Sequence, residues 1–388
     1  MLIVAHQYWP EPGPASQRLG ALAKALMDAG WGVDVVTSSP AQTPGLAAST
    51  GPHGERIRHS PKSDAKGASP RRAFELLRFA LAVVRLSKGR TYSAVVTDPP
   101  PTAAWAASRV ARNTSADFVY FLCDTWSGAT KDSSSMLSKL AHGPVKWLED
   151  RLLANSRLTV AVTEGLREIA ADAGADNILL APNGADLSIY TREGEQWSSA
   201  AVPRPYFLYA GNAGVLQGAE VFVDAAELLW SEGRDFGLVF MGSGADMAHI
   251  RERVAPHKGR LVVLEPQPVA VVAAALRGAA ASLVSLRPYP SSVHARPTKA
   301  MVALSAGCPI VYAGEGSFAA ELAAADVGFV SDWSTDGVRK SMAAALELDE
   351  GPGDQRDRHR EAAAMYARAT FDQMAQARNI ATAIVQLR

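Results

Sequence analysis

Residues 281–316 have the sequence ASLVSLRPYPSSVHARPTKAMVALSAGCPIVYAGEG, and the rest of the chain is organised around them. Its first six residues, 281–286, form an apolar run typical of a buried strand. The polar loop that follows carries basic side chains at Arg287, His294, Arg296 and Lys299. A helix is predicted from Pro297, because proline lacks the N–H that would have no partner in a first helical turn. With a second strand at 309–313, the order predicts a β-α-β unit whose loop is either an anion site or an ordinary solvated basic loop.

The composition is that of an ordinary globular chain. The 388 residues are 48% hydrophobic and 20% charged, and 39 lysines and arginines balance 39 aspartates and glutamates. This balance argues against general nucleic-acid binding, which usually requires a strongly basic domain. Cys123 and Cys308 lie in apolar runs, which predicts no disulfide and fits a reducing cytoplasm. The N-terminal residues do not have the pattern of a signal peptide, and no apolar run reaches the ~20 residues of a membrane span.

Strands alternate with helices along both halves of the chain. Apolar runs predict strands in the first half at 2–5, 33–37, 94–97, 117–122, 158–162 and 177–180, and the polar section 38–70 is given no element. The pattern restarts after a polar segment that contains prolines, with strands predicted at 207–210, 238–241, 260–264, 281–286, 309–313 and 328–330. An α/β fold of two doubly wound, Rossmann-like sheets facing across a cleft is predicted. The predicted bounds are an N-terminal domain at 1–190, a linker at 191–202, a C-terminal domain at 203–371, and a tail at 372–388 that packs back on the N-terminal domain.

Residues 71–90, RRAFELLRFALAVVRLSKGR, form a basic amphipathic helix in this interpretation. Phe74, Leu77, Leu81 and Val84 share one face, with arginines beside them. Such a helix can lie on an anionic membrane surface. The favoured interpretation is a helix whose apolar face packs inward and whose basic side is solvated.

Several kinds of enzyme site have no candidate in this sequence. Neither half carries the G-x-G-x-x-G pattern of dinucleotide-binding proteins. There is no D-x-D pair, no metal-ligand spacing among the histidines, and no G-x-S-x-G of acyl-transfer enzymes. We therefore expect no cofactor and no bound metal.

Six short motifs occur in a fixed order along the chain. They are QYWPEPGPASQRLGALAKALMDAGWGVDVVT (7–37), TDPPP (97–101), CDTW (123–126), PNGAD (182–186), YAGNAGVLQG (209–218) and RPTKAMVALSAGCPIV (296–311). Together they resemble the GT-B retaining glycosyltransferases of family 4, and within them the fucosamine-transferase-like branch that builds O-antigen and capsule sugars. The resemblance covers nearly the whole chain.

The resemblance implies that a nucleotide-diphosphate sugar binds mainly to the second domain and the acceptor to the first, with transfer under retention and without a metal. Lys299 would contact the donor diphosphate by a charge-assisted hydrogen bond, and Asp124 would lie near the reacting sugar. The remaining donor-binding candidates are Gly13, Gly211, Asn212, Gly214, Gln217, Gly242, Glu265, Pro266, Arg296 and Thr298. The acceptor-binding candidates are His6, Arg18, Asp98, Asp124 and Trp126. For His6 the alternative is a core histidine, for Arg18 a surface arginine, and for Asp124 a cap of the following turn.

Two positions depart from the family pattern of two glutamates, since His294 and Val302 stand there. Val302 cannot accept a hydrogen bond, so contacts to the nucleotide ribose must differ. Two other functions remain open: a nucleotide-sugar 2-epimerase on the same fold, and a non-catalytic nucleotide-sugar-binding partner. The acceptor is either a polyprenyl-diphosphate-linked sugar or a small-molecule aglycone. A cytoplasmic location is expected, with peripheral membrane contact through residues 71–90 as a further option.

Overall fold

The structure is a computed structural model that describes residues 1–11, 13–39, 47–60, 70–132, 136–199 and 202–387. Its internal contacts divide the chain into two compact units. Unit 1 comprises Met1–Asn183 and Gln373–Arg388, and unit 2 comprises Gly184–Asp372. The segment 191–199, predicted as linker, belongs to unit 2, where the Trp197 N–H donates to the Ala274 carbonyl at 3.0 Å.

Unit 1 is built on one sheet with helices on both faces. Its strands are β1 (Leu2–Val4), β2 (Asp34–Ser38), β3 (Ala48–Thr50), β4 (Arg56–Ser60), β5 (Ala94–Thr97), β6 (Asp117–Leu122), β7 (Leu158–Ala161) and β8 (Ile178–Leu180). Its first helices are α1 (Pro14–Asp28), α2 (Pro70–Leu86), α3 (Pro101–Thr114), α4 (Trp126–Asp132), α5 (Met136–Ala154) and α6 (Glu164–Asp172). The sheet order is β3-β4-β2-β1-β5-β6-β7-β8, and all pairs except β3 with β4 are parallel.

Unit 2 repeats the architecture. Its strands are β9 (Tyr206–Asn212), β10 (Gly237–Ser243), β11 (Leu261–Leu264), β12 (Ala281–Ser285), β13 (Ile310–Ala313) and β14 (Gly328–Ser331). Its helices are α7 (Glu220–Ser231), α8 (Asp246–Glu252), α9 (Val269–Gly278), α10 (Thr298–Ser305), α11 (Ser317–Ala325), α12 (Thr335–Glu350) and α13 (Gly353–Thr370). The parallel sheet has the order β11-β10-β9-β12-β13-β14. The last helix, α14 (Gln373–Val385), belongs to unit 1, where it packs on α1.

The predicted α/β class, with two Rossmann-like parallel sheets, is confirmed. The central strands β1, β5, β9 and β12 consist mainly of buried apolar residues, as strands covered by helices on both faces require. Helix α10 begins at Thr298 with Pro297 as its N-cap, close to the predicted start. Both cysteines are free. Among the described residues, none of the helices combines the length and the apolar character needed to cross a bilayer.

The prediction of no element between residues 38 and 70 is wrong for the part that is described. Strand β4 pairs with β2, and β3 pairs with β4 at the sheet edge. The sequence of β4, RIRHS, gives little indication of a strand because four of its five residues are polar or charged. The Arg56 and Arg58 side chains lie on the same side of the strand. Both guanidinium groups bind the buried Asp34 carboxylate of β2, at 2.9 and 2.8 Å. This pairing over more than twenty residues stabilises a strand that local propensity does not favour.

Helix α2 packs with a different face from the one that the sequence analysis favoured. Phe74, Leu77 and Leu81 are exposed, at 61%, 50% and 57% of their surface. The buried side chains of α2 are Leu76, Phe79, Ala80 and Val83. The inward-packing prediction for the first group is therefore wrong. Apolar residues stand on both sides of this helix, and periodicity alone could not determine which side covers the sheet.

Candidate functional site

Two glycine turns lie side by side at the carboxyl ends of β9 and β10. The first comprises residues 211–218 and the second residues 242–244. In the parallel register, Gly242 pairs with Gly211 and Ser243 with Asn212. A Cβ atom at residue 242 would lie 1.9 Å from the Gly211 carbonyl oxygen, so only glycine fits there. The close approach presents backbone, instead of bulky side chains, at the edge of the sheet where ligands of doubly wound folds bind.

Lys299, in the first turn of α10, reaches this edge. Its Nζ donates to the Asn212 carbonyl at 3.1 Å and to the Tyr209 hydroxyl, and lies 3.9 Å from the centre of the Tyr209 ring. Within the described part of the chain Lys299 forms no ion pair. Loss of solvent lowers the pKa of Lys299 to about 7, because the charged form is poorly solvated there. Among the described residues this ammonium group has no carboxylate partner and lies beside two glycine turns, which is an arrangement suited to an anion.

Gln217 occupies the centre of the first glycine turn. Its Oε1 accepts from the Gly214 N–H at 3.0 Å and from the Asn212 side-chain amide at 3.3 Å. The Ala213 N–H donates to the Ser243 carbonyl at 2.7 Å. In this conformation the Gly214 amide, expected to bind the donor diphosphate, already has an acceptor. A phosphate oxygen would take this position only by displacing the Gln217 side-chain carbonyl.

Arg287 stabilises the first glycine turn by contacts to Leu216 and Glu220. The Arg287 N–H donates to the Leu216 carbonyl at 2.8 Å, and its guanidinium group pairs with Glu220, the first residue of α7. The guanidinium carbon lies 4.8 Å from the centre of the Trp333 ring, and the Trp333 indole N–H donates to the Gly218 carbonyl at 3.1 Å. The turn is thereby fixed by contacts from the segments that follow β12 and β14.

A second polar cluster lies in unit 1, where β5, β6 and β8 end. The Arg18 guanidinium group, from α1, donates to Asp98 Oδ2 at 3.0 Å and to Asn183 Oδ1 at 2.8 Å. Its carbon lies 5.6 Å from the centre of the Phe121 ring. The Arg18 side chain is only 12% exposed, so the alternative of a surface arginine is wrong. The parallel strands bring together residues that are up to 165 positions apart.

The carboxyl groups of this cluster hold their protons more tightly than usual. Burial raises the pKa of Asp98 to about 6, although the neighbouring Arg18 opposes the shift. The pKa of Asp124 is also raised, first by loss of solvent and then by the Glu149 charge, with Arg18 again opposing. Asp124 is exposed by surface area, but the surrounding protein removes part of its hydration. Two carboxyl groups of raised pKa beside one arginine can accept or donate hydrogen bonds to hydroxyl groups of a ligand.

The alternative of Asp124 as a helix cap finds no support in the contacts, because another carboxylate caps α4. Glu149, which is buried, accepts from the Trp126 and Ser127 amides at 2.7 and 2.9 Å. Trp126, predicted to bind the acceptor, thus begins α4. His6 packs its ring 5.2 Å from the Phe79 ring, as a core histidine would. Gly13 is the N-cap of α1 and accepts from the Gln17 N–H at 3.0 Å.

Two other predicted donor residues of unit 2, Glu265 and Arg296, form ion pairs of their own. Glu265 follows the edge strand β11, is exposed beside Pro266, and pairs with Arg251. Arg296 pairs with Glu321 of α11. Thr298 and His294 are half-buried near the start of α10, whereas Val302 belongs to the apolar core of unit 2. The described contacts of Lys299 include none of these residues.

Four residues of the two clusters are not among the predicted donor- and acceptor-binding residues, although Arg287 lies in the loop predicted as a possible anion site. Tyr209 and Trp333 contact the glycine turn, Arg287 braces it, and Asn183 binds Arg18. Asn183 lies in the PNGAD motif, which composition identified only as a turn. Trp333 is 115 residues from the carbonyl that it binds, and no local pattern could have indicated this contact. Among the described side chains, no group of three or more His, Cys, Asp or Glu could hold a metal ion.

Residues 13–184 match the family model described as "Glycosyl transferase 4-like domain". The whole chain is similar to a sucrose-phosphate synthase from Thermosynechococcus elongatus, with a TM-score of 0.76, 16% identity, and coverage of 100% of this chain and 98% of that chain. The fold is GT-B. Two further structures support this: Anabaena HepE in complex with UDP and glucose (TM-score 0.71, 14% identity, 99% of each chain covered), and WaaG, a glycosyltransferase involved in lipopolysaccharide biosynthesis (TM-score 0.69, 16% identity, 99% of each chain covered). No curated protein sequence matches the chain.

Proposed function

We propose that this protein is a glycosyltransferase that moves a sugar from a nucleotide-diphosphate donor to an acceptor hydroxyl group. The observation that carries the proposal is the Lys299 ammonium beside the glycine turns of unit 2, desolvated and without an ion-pair partner among the described residues. The match of residues 13–184 to a glycosyl transferase 4-like domain supports it, as does the similarity to a structure that binds UDP and glucose.

The donor diphosphate would lie against Lys299 and the first glycine turn. Negative charge grows on the leaving diphosphate as the glycosidic bond breaks, and a fixed ammonium stabilises that charge. Displacement of the Gln217 carbonyl would release the Gly214 amide and the Asn212 side-chain amide for phosphate oxygens. Because these groups supply the positive charge and the donors, we propose that the reaction needs no metal.

The acceptor would bind unit 1 at the Arg18, Asp98 and Asp124 cluster. Carboxyl groups of raised pKa suit hydrogen bonds to sugar hydroxyls, and Asp124 is the group with solvent access. We propose transfer with retention, by departure and attack on the same face, and a polyprenyl-diphosphate-linked acceptor, as in the fucosamine-transferase-like branch. Val302 lies in the core, so the ribose would be held by other groups.

A thermal-shift screen tests the donor site. The purified protein is heated with UDP, GDP, TDP, CDP or ADP and their common sugars, since a ligand of the native state raises the melting temperature. One nucleotide should give a clear shift that Lys299→Ala abolishes. The matched control is Lys258→Ala, which removes an exposed lysine of the same unit and should leave the shift intact.

Transfer is tested separately with the nucleotide sugar that binds best. Product formation in the presence of EDTA would support a reaction without a metal. An NMR spectrum that shows the donor's anomeric configuration in the product would support retention. Interconversion of the donor sugar without an acceptor would indicate the epimerase instead. Binding without turnover towards any acceptor would indicate a non-catalytic partner. Absence of any shift at millimolar concentration would refute the donor site.

A further inference from the structure

Helices α2, α3 and α5 form one layer on a single face of the unit 1 sheet. Helix α3 packs on α2 on one side and on α5 on the other. The three helices share one apolar core with the sheet, through residues that include Phe79, Ala107 and Leu152. Their outward sides therefore make up one surface, which we call the α2–α3–α5 surface.

This surface is unusually apolar for a solvent-exposed one. Six of the thirteen large hydrophobic side chains exposed among the described residues lie on these three helices. They are Phe74 (61%), Leu77 (50%), Leu81 (57%), Trp105 (36%), Leu140 (72%) and Trp147 (63%). Single exposed apolar residues need no explanation, but a concentration of them marks a binding surface.

The same surface is basic. In the sequences of the three helices, arginines and lysines outnumber carboxylates nine to three. Of the three carboxylates, Glu149 is buried as the cap of α4, and Glu75 and Asp150 pair with neighbouring basic residues. The exposed basic residues are Arg71, Arg78, Arg85, Arg109, Arg112, Lys139, Lys146 and Arg151. Two of them lie against the exposed aromatic rings, with the Arg78 carbon 6.0 Å from the centre of Phe74 and the Arg151 carbon 5.6 Å from that of Trp147.

We propose that the α2–α3–α5 surface binds an anionic phospholipid bilayer. Leucine, phenylalanine and tryptophan would enter the boundary between headgroups and acyl chains, and the arginines and lysines would bind the phosphates. A second copy of this chain fits less well, because a symmetric dimer would place one basic surface against another. The role of this contact rests on the proposed function, since a bilayer-bound enzyme would meet a polyprenyl-linked acceptor where that lipid resides.

Vesicle flotation of the full chain tests the proposal. The protein should float with vesicles of phosphatidylcholine and phosphatidylglycerol, and about tenfold less with phosphatidylcholine alone, because the basic residues need anionic lipid. The variant Phe74→Ser/Leu77→Ser/Leu81→Ser should weaken binding by about tenfold or more, since it removes inserted apolar area. A second variant, Leu140→Ser/Trp147→Ser, changes only α5 and should also weaken binding. That result would show that the binding surface includes α5 as well as α2.

The matched control is Leu228→Ser/Met365→Ser, which removes two exposed apolar side chains of unit 2 (43% and 61%). It should bind vesicles like the wild type, and circular dichroism should show native folding of every variant. Failure of the wild type to float, or equal flotation of wild type and both surface variants, would overturn the proposal. A wild-type dimer that the surface variants convert to a monomer in sedimentation, without vesicle binding, would show that the occupant is a second copy. Flotation needs no nucleotide and the nucleotide thermal shift needs no vesicles, so the two proposals can fail independently.

Discussion

Affinity for a nucleotide sugar should fall steeply as the pH rises above neutrality, because the pKa of Lys299 lies at about 7 in the free protein. If only the ammonium form binds the diphosphate, its population sets the apparent affinity. This population falls from roughly three quarters at pH 6.5 to about 3% at pH 8.5, so the dissociation constant should rise about 25-fold. The bound diphosphate favours the ammonium form, and binding at pH 8 should therefore take up nearly one proton.

Isothermal titration calorimetry between pH 6.5 and 8.5 measures both quantities, when each titration is repeated in buffers of different ionisation heat. A nucleotide sugar is the appropriate ligand, because its esterified phosphates keep their charge over this range. Lys299→Arg provides the control: its guanidinium group stays charged, so its affinity should not change with pH. Lys299→Ala should bind weakly at every pH.

The two assumptions in this prediction can fail separately. Wild-type affinity that does not change with pH, together with weak binding by Lys299→Ala, would show that Lys299 binds the ligand with an ordinary pKa. Full affinity of Lys299→Ala would show that Lys299 does not contact the donor at all. The lowered pKa also affects stability in the absence of ligand. Because the unfolded chain binds more protons between pH 7 and 10.5, the free energy of unfolding should rise with pH there, and Lys299→Met should remove that part of the rise.

Three further predictions concern the glycine turns and the unit 1 cluster. Gly242→Ala should lower the free energy of unfolding by about 2–4 kcal/mol in urea titrations, because its Cβ would overlap a backbone oxygen at 1.9 Å. Gly20→Ala, in α1 with no atom within 4 Å of the added Cβ, should instead raise it by about 0.5–1 kcal/mol; equal effects would contradict the close approach of the two turns. Asp98→Asn removes a carboxyl group whose folded pKa, about 6, lies above its unfolded value of 3.8. The wild type loses stability from this group as the pH rises through that window, so unfolding titrations should show the variant gaining about 2.4 kcal/mol relative to the wild type between pH 4 and 7, and a constant difference would refute the shift. Arg287→Ala should weaken donor binding about tenfold by releasing the first glycine turn, whereas Arg234→Ala, which breaks an exposed ion pair, should not change it, and similar affinities in calorimetry would show that the turn needs no brace.

The parallel sheets and their order along the chain could be predicted because strands buried on both faces are continuous apolar runs, separated by amphipathic helices and turn residues. The same reasoning placed Asp98 and Asp124 directly after strands and Lys299 near the start of a helix, whereas Arg18 was identified through the family resemblance. The α/β class, predicted from this patterning, and the GT-B fold, implied by the motif resemblance, are both confirmed. The roles of Lys299, Arg18, Asp98 and Asp124 in donor and acceptor binding stay predictions, as do those of the other candidate residues.

Features that depend on partners far away in sequence became apparent only in the folded chain. Arg56 and Arg58 form a strand because Asp34 binds them from the neighbouring strand. Helix α2 has apolar residues on both sides, and only packing against the sheet determined that Phe79 is buried and Leu77 exposed. Periodicity records that a helix has an apolar face, but it contains no information about which of two such faces another element covers. The sequence also indicated a lysine near a glycine turn. Only the folded chain removes enough water from the Lys299 ammonium group to lower its pKa.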